Sequence, residues 1–156
     1  MIRHLCAASL LLPIVACSGD LSGPRSEAGL VLEASLSSPS IEEEAADTLT
    51  VTLTNTNPVP ITLHFGSGCQ IVPYVTNMIG DILVPKGGSP VCLTVLSSRT
   101  LEPHEVQTAT FVWSGSTDFS PAVLPRVLPN GVYHVFAELD AYEVQLRTDH
   151  LAVQLK

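Results

Sequence analysis

The chain has 156 residues, and its 7 Lys and Arg against 15 Asp and Glu give a formal net charge of −8. This acidic balance argues against a nucleic-acid partner, because phosphate recognition requires clusters of Lys and Arg. The length is enough for one domain with a single hydrophobic core. The sequence contains no G-x-S-x-G nucleophile motif and no compact metal-ligand spacing, so we expect a protein without enzymatic activity and without a cofactor.

Residues 1–16 predict a secretion signal, in which a positively charged start is followed by an apolar stretch. The stretch is shorter than the roughly 20 apolar residues that a bilayer-spanning helix needs. Its end, Ile14-Val15-Ala16-Cys17, resembles the lipobox of bacterial lipoproteins. The resemblance implies that residues 1–16 are removed and that Cys17 carries the lipid anchor, with ordinary signal cleavage as the alternative.

Residues 17–29 contain Gly, Ser, Pro and charged residues without an apolar period, which is typical of a flexible linker. We therefore expect a lipid-anchored tether followed by one domain over residues 30–156. These features predict that the protein lies in the bacterial cell envelope and is attached to a membrane through its N-terminal lipid. If the bacterium is Gram-negative, Ser18 directly after the lipidated cysteine indicates the outer membrane.

From residue 30 onward, apolar and polar residues alternate with the period of a half-buried β-strand. The clearest run is TLTVTLT at 48–54, in which Leu49, Val51 and Leu53 share one face and four threonines share the other. Further strands are predicted at 31–36, 61–65, 71–76, 91–96, 106–113, 131–139 and 144–155, the last run holding a short strand and a terminal one. About seven to nine short strands predict an all-β, immunoglobulin-like antiparallel β-sandwich, with a small barrel as the alternative.

Two of the four cysteines remain once Cys6 is removed with the signal and Cys17 is acylated. We expect Cys69 and Cys92 to form a disulfide, because disulfides persist in the oxidising compartments outside the cytoplasm. A metal site at these two residues is the alternative, although no CxxC or Cys/His spacing accompanies them.

Three segments carry a resemblance to a known family: VTLTNTNPVPITLHFGSGCQIVPYV at 51–75, LEPHEVQTATFVW at 101–113 and LPNGVYHVFAEL at 128–139. Together they resemble the intracellular proteinase inhibitor (BsuPI) domain family. The resemblance implies a β-sandwich, and as an alternative function it implies inhibition of a proteinase through an exposed loop. His104 stands where the family pattern usually has Gly, so we expect a different turn there.

Residues 114–130 form a long irregular segment in which a proline recurs every fourth residue. Long loops in compact domains are uncommon and often functional, and proline holds them extended. We therefore predict a candidate interaction loop that contains Pro121, Leu124, Pro125 and Arg126. A loop that packs its Leu and Val side chains on the end of the sandwich is the alternative. In an inhibitor, Arg126 or Lys86 is the residue that a trypsin-like cleft would accept.

The remaining polar residues lack the spacing of a site. The histidines at positions 64, 104, 134 and 150 are too far apart for a compact metal motif, and we expect no metal ion. The acidic run 42–44 and the nearby Asp47 are expected to form a solvated loop, with a weak calcium site as the alternative. Trp113 is expected in the core, or else as a surface residue that stacks on a ligand. We predict a non-enzymatic, lipid-anchored envelope protein whose domain binds an unidentified envelope protein or protease.

Overall fold

The structure, a computed structural model, describes residues 25–120 and 122–156. The predicted signal at 1–16, the predicted lipidation site Cys17, and Pro121 of the predicted interaction loop lie outside the described residues. Residues 25–27, which the sequence assigned to the tether, already form a strand of the domain. No helix within the described ranges is long and apolar enough to cross a lipid bilayer.

The described residues form twelve β-strands connected by turns and loops, and none of these residues is helical. Four of the strands are only two or three residues long, which leaves eight longer ones, within the predicted number. In chain order the strands are β1 (Arg25–Glu27), β2 (Leu30–Leu36), β3 (Ser40–Ile41), β4 (Asp47–Asn55), β5 (Ile61–Phe65), β6 (Ile71–Thr76), β7 (Ile82–Val84), β8 (Ser97–Leu101), β9 (Val106–Trp113), β10 (Gly131–Asp140), β11 (Gln145–Arg147) and β12 (Leu151–Leu155).

Two main sheets pack around one core. Strands β1, β2, β4 and β9 form the first sheet in that order, and β3, β12, β10, β6 and β7 form the second, with β11 attached to β10. Strands β5 and β8 form a separate two-stranded sheet. All pairs are antiparallel except β3 with β12, which is parallel. The predicted all-β sandwich is therefore confirmed.

Alternate residues of the central strands form the core. In β4 the side chains of Leu49, Val51 and Leu53 are buried, while the threonines between them lie on the outer face. Strand β10 contributes Val135 in the same way. Because burial of one such side chain contributes roughly 1.5–3 kcal/mol, this alternation determines which face of each strand points inward. Trp113 is also buried, as expected for a core residue.

The predicted strand at residues 91–96 is wrong. Those residues form an irregular loop, and the strand lies further along the chain as β8, which pairs with β5. The pairing is polar on its exposed face, where the hydroxyls of Thr62 and Thr100 are hydrogen-bonded at 2.8 Å. The polar segment SSRTL, and not the segment 91–96, pairs with β5. The alternating apolar residues of 91–96 are therefore not covered by a sheet.

Asp47 is buried at the start of β4 and is not part of a solvated acidic loop. Its carboxylate accepts hydrogen bonds from the Ser37 hydroxyl and from the Ser38 backbone N–H, the second at 3.1 Å. These bonds join the end of β2 to the start of β4, which explains why a charged residue is buried here. The acidic run 42–44 is exposed, as expected.

The turn between β8 and β9 has a left-handed residue at His104, whose φ is 62°. The Glu105 N–H closes the turn by donating to the Glu102 carbonyl oxygen at 3.0 Å. We expected a different turn at a position where glycine is usual, yet the backbone adopts the conformation that glycine reaches most easily. His104 therefore adopts a left-handed backbone conformation that glycine adopts more easily.

Candidate functional site

Cys69 and Cys92 form the predicted disulfide, with their Cα atoms 5.5 Å apart. Cys69 lies just before β6, and Cys92 lies in the long connection between β7 and β8. The bond therefore ties that connection to the start of a strand in the second sheet. A cross-link that closes a loop of about this length stabilises a fold by roughly 3 kcal/mol on the chain-entropy model.

Four apolar side chains project into solvent from residues 91–96, a segment that we call the apolar loop. These side chains are Val91, Leu93, Val95 and Leu96. Leu93 and Leu96 are each 77% exposed, and Val91 is completely exposed. Single exposed apolar residues are ordinary, whereas several in one short segment are a common feature of interaction surfaces. The sequence alone did not identify this surface, because an alternating apolar run also predicts a half-buried strand.

The apolar loop is held in place at its centre. The Gly68 N–H donates a hydrogen bond to the Leu93 carbonyl oxygen at 2.9 Å, and the Val95 N–H donates to the same oxygen, also at 2.9 Å. The disulfide at Cys92 adds a covalent connection beside these bonds. A segment that is ordered before binding loses less conformational entropy when a partner binds.

Depressions border the apolar loop at both ends. At the Val91 end lies a groove of about 370 Å3, whose apolar lining includes Ile71, Phe111 and Phe119. At the Leu96 end lies a cleft of about 250 Å3. The cleft is lined by His64, Phe65, Leu96, Ser97, Ser98 and Tyr142. The exposed apolar surface is therefore flanked by concave regions that could receive side chains of a partner.

The cleft beside Leu96 is organised by an exposed pair of polar residues. Glu143 accepts hydrogen bonds from the His64 backbone N–H at 2.9 Å and from the His64 ring nitrogen Nδ1 at 2.6 Å. These two hydrogen bonds, the backbone one foremost, lower the pKa of the Glu143 carboxyl below its ordinary value. A Cβ atom at Gly66 would lie 2.8 Å from the Tyr142 hydroxyl, so a side chain at position 66 would shift the exposed Tyr142 ring away from its present place in the cleft.

A second group of aromatic residues lies on the outer face of the second sheet. Tyr74 stacks on Phe136 with ring centroids 5.2 Å apart, and His150 stacks on Phe136 at 4.5 Å. The Arg147 guanidinium lies 4.9 Å from the centre of the Phe136 ring, and its Nε donates to Glu138 at 2.7 Å. Burial, followed by the charge of Glu138, raises the pKa of Tyr74. Phe136 is buried under its neighbours, whereas Tyr74 is half-buried and His150 is exposed.

The predicted interaction loop packs against the end of the sandwich over its described residues. The Leu124 carbonyl oxygen accepts a hydrogen bond from the Ser114 hydroxyl at 2.7 Å. The Gly115 carbonyl oxygen accepts from the backbone N–H groups of Val127 and Leu128 at 3.0 and 2.9 Å. Pro125 is exposed and Leu124 is half-buried. These contacts agree in part with the alternative in which the segment covers the end of the core, because Leu128 packs against the core whereas Val123 and Val127 are each 58% exposed.

The Arg126 side chain is bound to the backbone of other segments. Its guanidinium donates to the carbonyl oxygens of Ile41 at 3.0 Å, Glu42 at 2.7 Å and Lys156 at 2.6 Å. A trypsin-like cleft could take this side chain only by breaking all three bonds. The expected role of Arg126 as an exposed loop residue is corrected accordingly, because the residue joins three segments of the fold. Lys86, the other residue named for that role, is exposed at the rim of the groove beside Val91.

The histidines of the described residues lie at different places on the fold. The rings of His134 and His150 lie 6.0 Å apart, and His64 is bound to Glu143. Within residues 25–120 and 122–156, no three His, Cys, Asp or Glu side chains are grouped so that they could hold a metal ion.

No family model matches the chain, and no curated protein matches it. Among solved structures, it is similar to a β-glucosidase from Listeria innocua in complex with glucose, at 18% identity and a TM-score of 0.47, over 81% of this chain and 16% of that chain. It is similar to a β-glucosidase from Erythrobacter marinus at 14% identity and a TM-score of 0.45, over 81% of this chain and 15% of that one. It is also similar to the CARDB domain of a Pyrococcus furiosus protein, in complex with di-metal ions, at 13% identity and a TM-score of 0.47, over 88% of this chain and 97% of that chain. At these identities the similarity concerns the fold alone, and the chain spans only about a sixth of the β-glucosidases.

Proposed function

We propose that the protein is a non-enzymatic binding module of the bacterial cell envelope, which is anchored by lipid at Cys17 and holds another envelope protein at the apolar loop. The sequence Ile14-Val15-Ala16-Cys17 supports the anchor. The β-sandwich architecture suits a binding module, because its loops can vary while the two sheets remain constant.

The observation that carries the proposal is the exposure of four apolar side chains on a segment fixed by a disulfide. Full burial of one Val or Leu side chain contributes roughly 1.5–3 kcal/mol. Burial of two of them by a partner would therefore contribute several kcal/mol, which is the size of a binding hot spot. The disulfide and the Gly68 hydrogen bond keep the loop in one arrangement, so less of this energy is lost to ordering.

A protein partner suits the apolar loop better than the membrane surface does. Segments that lie in a membrane interface are rich in Trp, Tyr, Lys and Arg, and none of these occurs in residues 89–98, SPVCLTVLSS. The net charge of −8 also opposes contact with anionic lipid headgroups. The lipid on Cys17 would provide the membrane attachment, and the apolar loop would be left for a protein.

The test is a cross-linking pull-down from native envelopes, using the full chain and the double variant Leu93→Ser/Leu96→Ser. A specific partner should be recovered with the wild type and lost with this variant. The matched control is Met78→Ser/Ile79→Ser, which removes two side chains of similar exposure, 64% and 84%, from a different turn. Equal recovery of the same protein with all three chains would exclude the apolar loop as the binding surface.

The lipid anchor is tested separately by intact-mass analysis of the protein from a bacterial membrane. The expected mass corresponds to a chain that begins at Cys17 and carries acyl groups, and Cys17→Ala should release the protein from the membrane fraction. An unmodified chain that begins at Met1 would overturn the anchor while leaving the binding surface untouched.

A proteinase inhibitor is the second proposal, as the resemblance to the BsuPI family implies. The observation that favours it is again the fixed apolar loop, because an inhibitor needs an exposed segment that is ordered before binding. Leu93 would suit the hydrophobic specificity pocket of a chymotrypsin-like protease. Arg126 is a poorer candidate, since its guanidinium is already bound to three carbonyl oxygens.

The inhibitor proposal is tested by measuring the residual activity of chymotrypsin and trypsin with the intact protein. Inhibition of chymotrypsin that disappears with Leu93→Gly and persists with Arg126→Met would support it. Unchanged rates of both proteases at micromolar protein would exclude inhibition of these classes.

A further inference from the structure

Strand β9 forms one edge of the first sheet and pairs with β4 alone. With eight residues, it is the longest of the edge strands among the described residues. Its register with β4 is continuous from Asp47 opposite Trp113 to Thr54 opposite Val106, without a bulge. The opposite edge of the same sheet, β1, has only three residues.

The backbone groups that point away from β4 can be assigned from two hydrogen bonds. The Glu105 carbonyl oxygen accepts from the Asn55 N–H at 3.0 Å, so residue 105 and the odd-numbered residues of β9 face β4. The Val112 carbonyl oxygen accepts from the Ser120 N–H at 3.0 Å on the other side, so the even-numbered residues face outward. The N–H and C=O groups of Val106, Thr108 and Thr110 therefore form an open edge, and no hydrogen bond to these groups is found within the described part of the chain.

Native proteins usually protect a long edge strand with charged residues, proline or a bulge. The sequence of β9, VQTATFVW, contains no charged residue and no proline. The side chains of Gln107, Ala109 and Phe111 point toward the core but are only half-buried. The core side of this edge strand is therefore incompletely covered. An added strand would complete both the hydrogen bonding and the burial.

A groove of about 360 Å3 lies next to the open edge and is lined by Thr110, Phe111, Val112, Phe119 and Ser120. The rings of Phe111 and Phe119 are in edge-to-face contact, with centroids 6.1 Å apart. Recognition by strand addition uses backbone hydrogen bonds for affinity and pockets for alternate side chains for specificity. Both parts are present here.

We propose that β9 binds an extended peptide segment of another protein as a fifth strand of the first sheet. The backbone groups of Val106, Thr108 and Thr110 pair with the peptide, and an apolar side chain of the peptide enters the groove beside Phe111 and Phe119. This inference goes beyond the apolar loop and requires neither that loop nor the lipid anchor, although Phe111 and Phe119 line both this groove and the one beside Val91.

The charge of the protein indicates which peptide binds. Glu102 and Glu105 flank one end of the open edge and Asp118 lies beyond the other, and the whole chain carries −8. Arg99 lies 3.6 Å from Glu105 and neutralises only one of these carboxylates. The bound peptide is therefore cationic at its ends and apolar at alternate positions. A second copy of the chain would bring an equal negative charge to the same edge, which opposes self-pairing.

Amide hydrogen exchange with a synthetic peptide, acetyl-KTVTVTVK-amide, tests the proposal on the intact protein. In the free protein, the amides of Val106, Thr108 and Thr110 should exchange quickly, while those of Gln107 and Ala109 are protected by β4. Addition of the peptide should protect the first three. Binding without protection of these amides, or no binding at millimolar peptide, would overturn the proposal.

Two variants of one residue separate the backbone contact from the side chain. Thr108→Pro removes an outward N–H and should weaken peptide binding about tenfold or more, whereas Thr108→Val keeps the N–H and the shape and should bind within about twofold of the wild type. Equal binding by both variants would refute strand addition, and the exchange experiment remains decisive if the proline variant does not fold.

The peptide ETVTVTVE tests the charge and should bind about tenfold more weakly than its lysine counterpart. Equal binding by the two peptides would remove the cationic requirement. A different outcome is that the outward amides are protected in the free protein, increasingly so at higher protein concentration, and that ultracentrifugation finds dimers. This result would show that a second copy of the chain, and not a peptide of another protein, pairs with β9.

Discussion

The side-chain amide of Asn55 donates a hydrogen bond to the carbonyl oxygen of Leu101 at 3.1 Å, across 46 residues of sequence. The same amide also lies 3.0 Å from the Val59 carbonyl oxygen and 3.1 Å from that of Glu102. Asn55 is completely buried, so its side chain is the point at which β4, the turn after it and the end of β8 are joined. A buried polar side chain with all its partners in place is a strong determinant of one particular chain arrangement.

We therefore expect Asn55→Ala to destabilise the fold by about 2–3 kcal/mol, because it removes the side-chain donor of the buried Leu101 carbonyl oxygen together with the bonds to Val59 and Glu102. Denaturant unfolding followed by fluorescence of Trp113 measures the change. The matched control is Asn57→Ala, which removes one exposed hydrogen bond to the Ala28 carbonyl oxygen and should cost less than about 1 kcal/mol. Equal losses for the two variants would contradict the central role of Asn55.

His104→Gly should stabilise the protein. A left-handed backbone costs a residue with a side chain roughly 1–2 kcal/mol, and glycine avoids this cost. Part of the gain is offset because glycine has more conformational entropy in the unfolded chain. The net expectation is a gain of up to about 1 kcal/mol, or a rise in melting temperature of roughly 3–5 °C. His104→Ala keeps the strain and serves as the control. A lower melting temperature for the glycine variant would show that the His104 side chain itself stabilises the turn.

Reduction of the Cys69–Cys92 disulfide should release two thiols and lower the free energy of unfolding by roughly 3 kcal/mol. Thiol counting before and after reduction and denaturant unfolding of Cys69→Ser/Cys92→Ser measure these quantities. Since the bond also fixes the apolar loop, the reduced protein should lose affinity for its partner by more than its loss of stability alone explains. Two free thiols in the native protein would contradict the pairing.

The hydrogen bonds from His64 lower the pKa of the Glu143 carboxyl, so the sign of its effect on stability is defined. A carboxyl whose pKa is lower in the folded state stabilises the fold above its unfolded pKa, and this contribution is lost as the pH falls through the folded value. Carbon-13 NMR titration should find Glu143 ionising below its ordinary value of 4.5. His64→Ala removes the ring contact but keeps the backbone N–H, so it should raise the pKa only part of the way.

Arg126→Met should destabilise the fold by about 2 kcal/mol, because it removes charged donors from the carbonyl oxygens of Ile41, Glu42 and Lys156. The control is Lys86→Met, which changes an exposed cation and should alter stability by less than about 0.5 kcal/mol. Denaturant unfolding of the two variants under the same conditions compares them. Similar stability of both variants would contradict this structural role of Arg126 and would mean that it behaves as an exposed loop residue.

The sequence predicted those parts of the fold in which the local period and the burial agree. The runs at 48–54 and 131–139 alternate because one face of each strand is buried, and both form strands. The run at 91–96 alternates in the same way but is exposed, and nothing within six residues distinguishes the two cases. The polar strand β8 was missed for the converse reason, since its pairing depends on β5 rather than on its own apolar residues.

The candidate site was harder to predict because it depends on contacts between distant residues. The disulfide could be predicted, since only two of the four cysteines lie outside the predicted signal and its predicted lipidation site. The role of Arg126 could not, because its partners at 41 and 42 lie 85 and 84 residues earlier in the chain. The open edge of β9 is likewise a property of sheet order, which the sequence of one strand does not reveal.

The pairing of β4 with β9 joins residues that are far apart in the chain, from Asp47 with Trp113 to Thr54 with Val106. The conformational entropy of closing such long loops is lost before the contacts between the strands stabilise the fold. Folds dominated by non-local pairs therefore reach their native state in milliseconds to seconds rather than microseconds. During that interval the run TLTVTLT has neither of its neighbours and is free to pair with the same run of another molecule. Refolding yield should therefore fall steeply with protein concentration. Dilution of the unfolded chain to a low final concentration should recover more native protein than refolding at a high concentration.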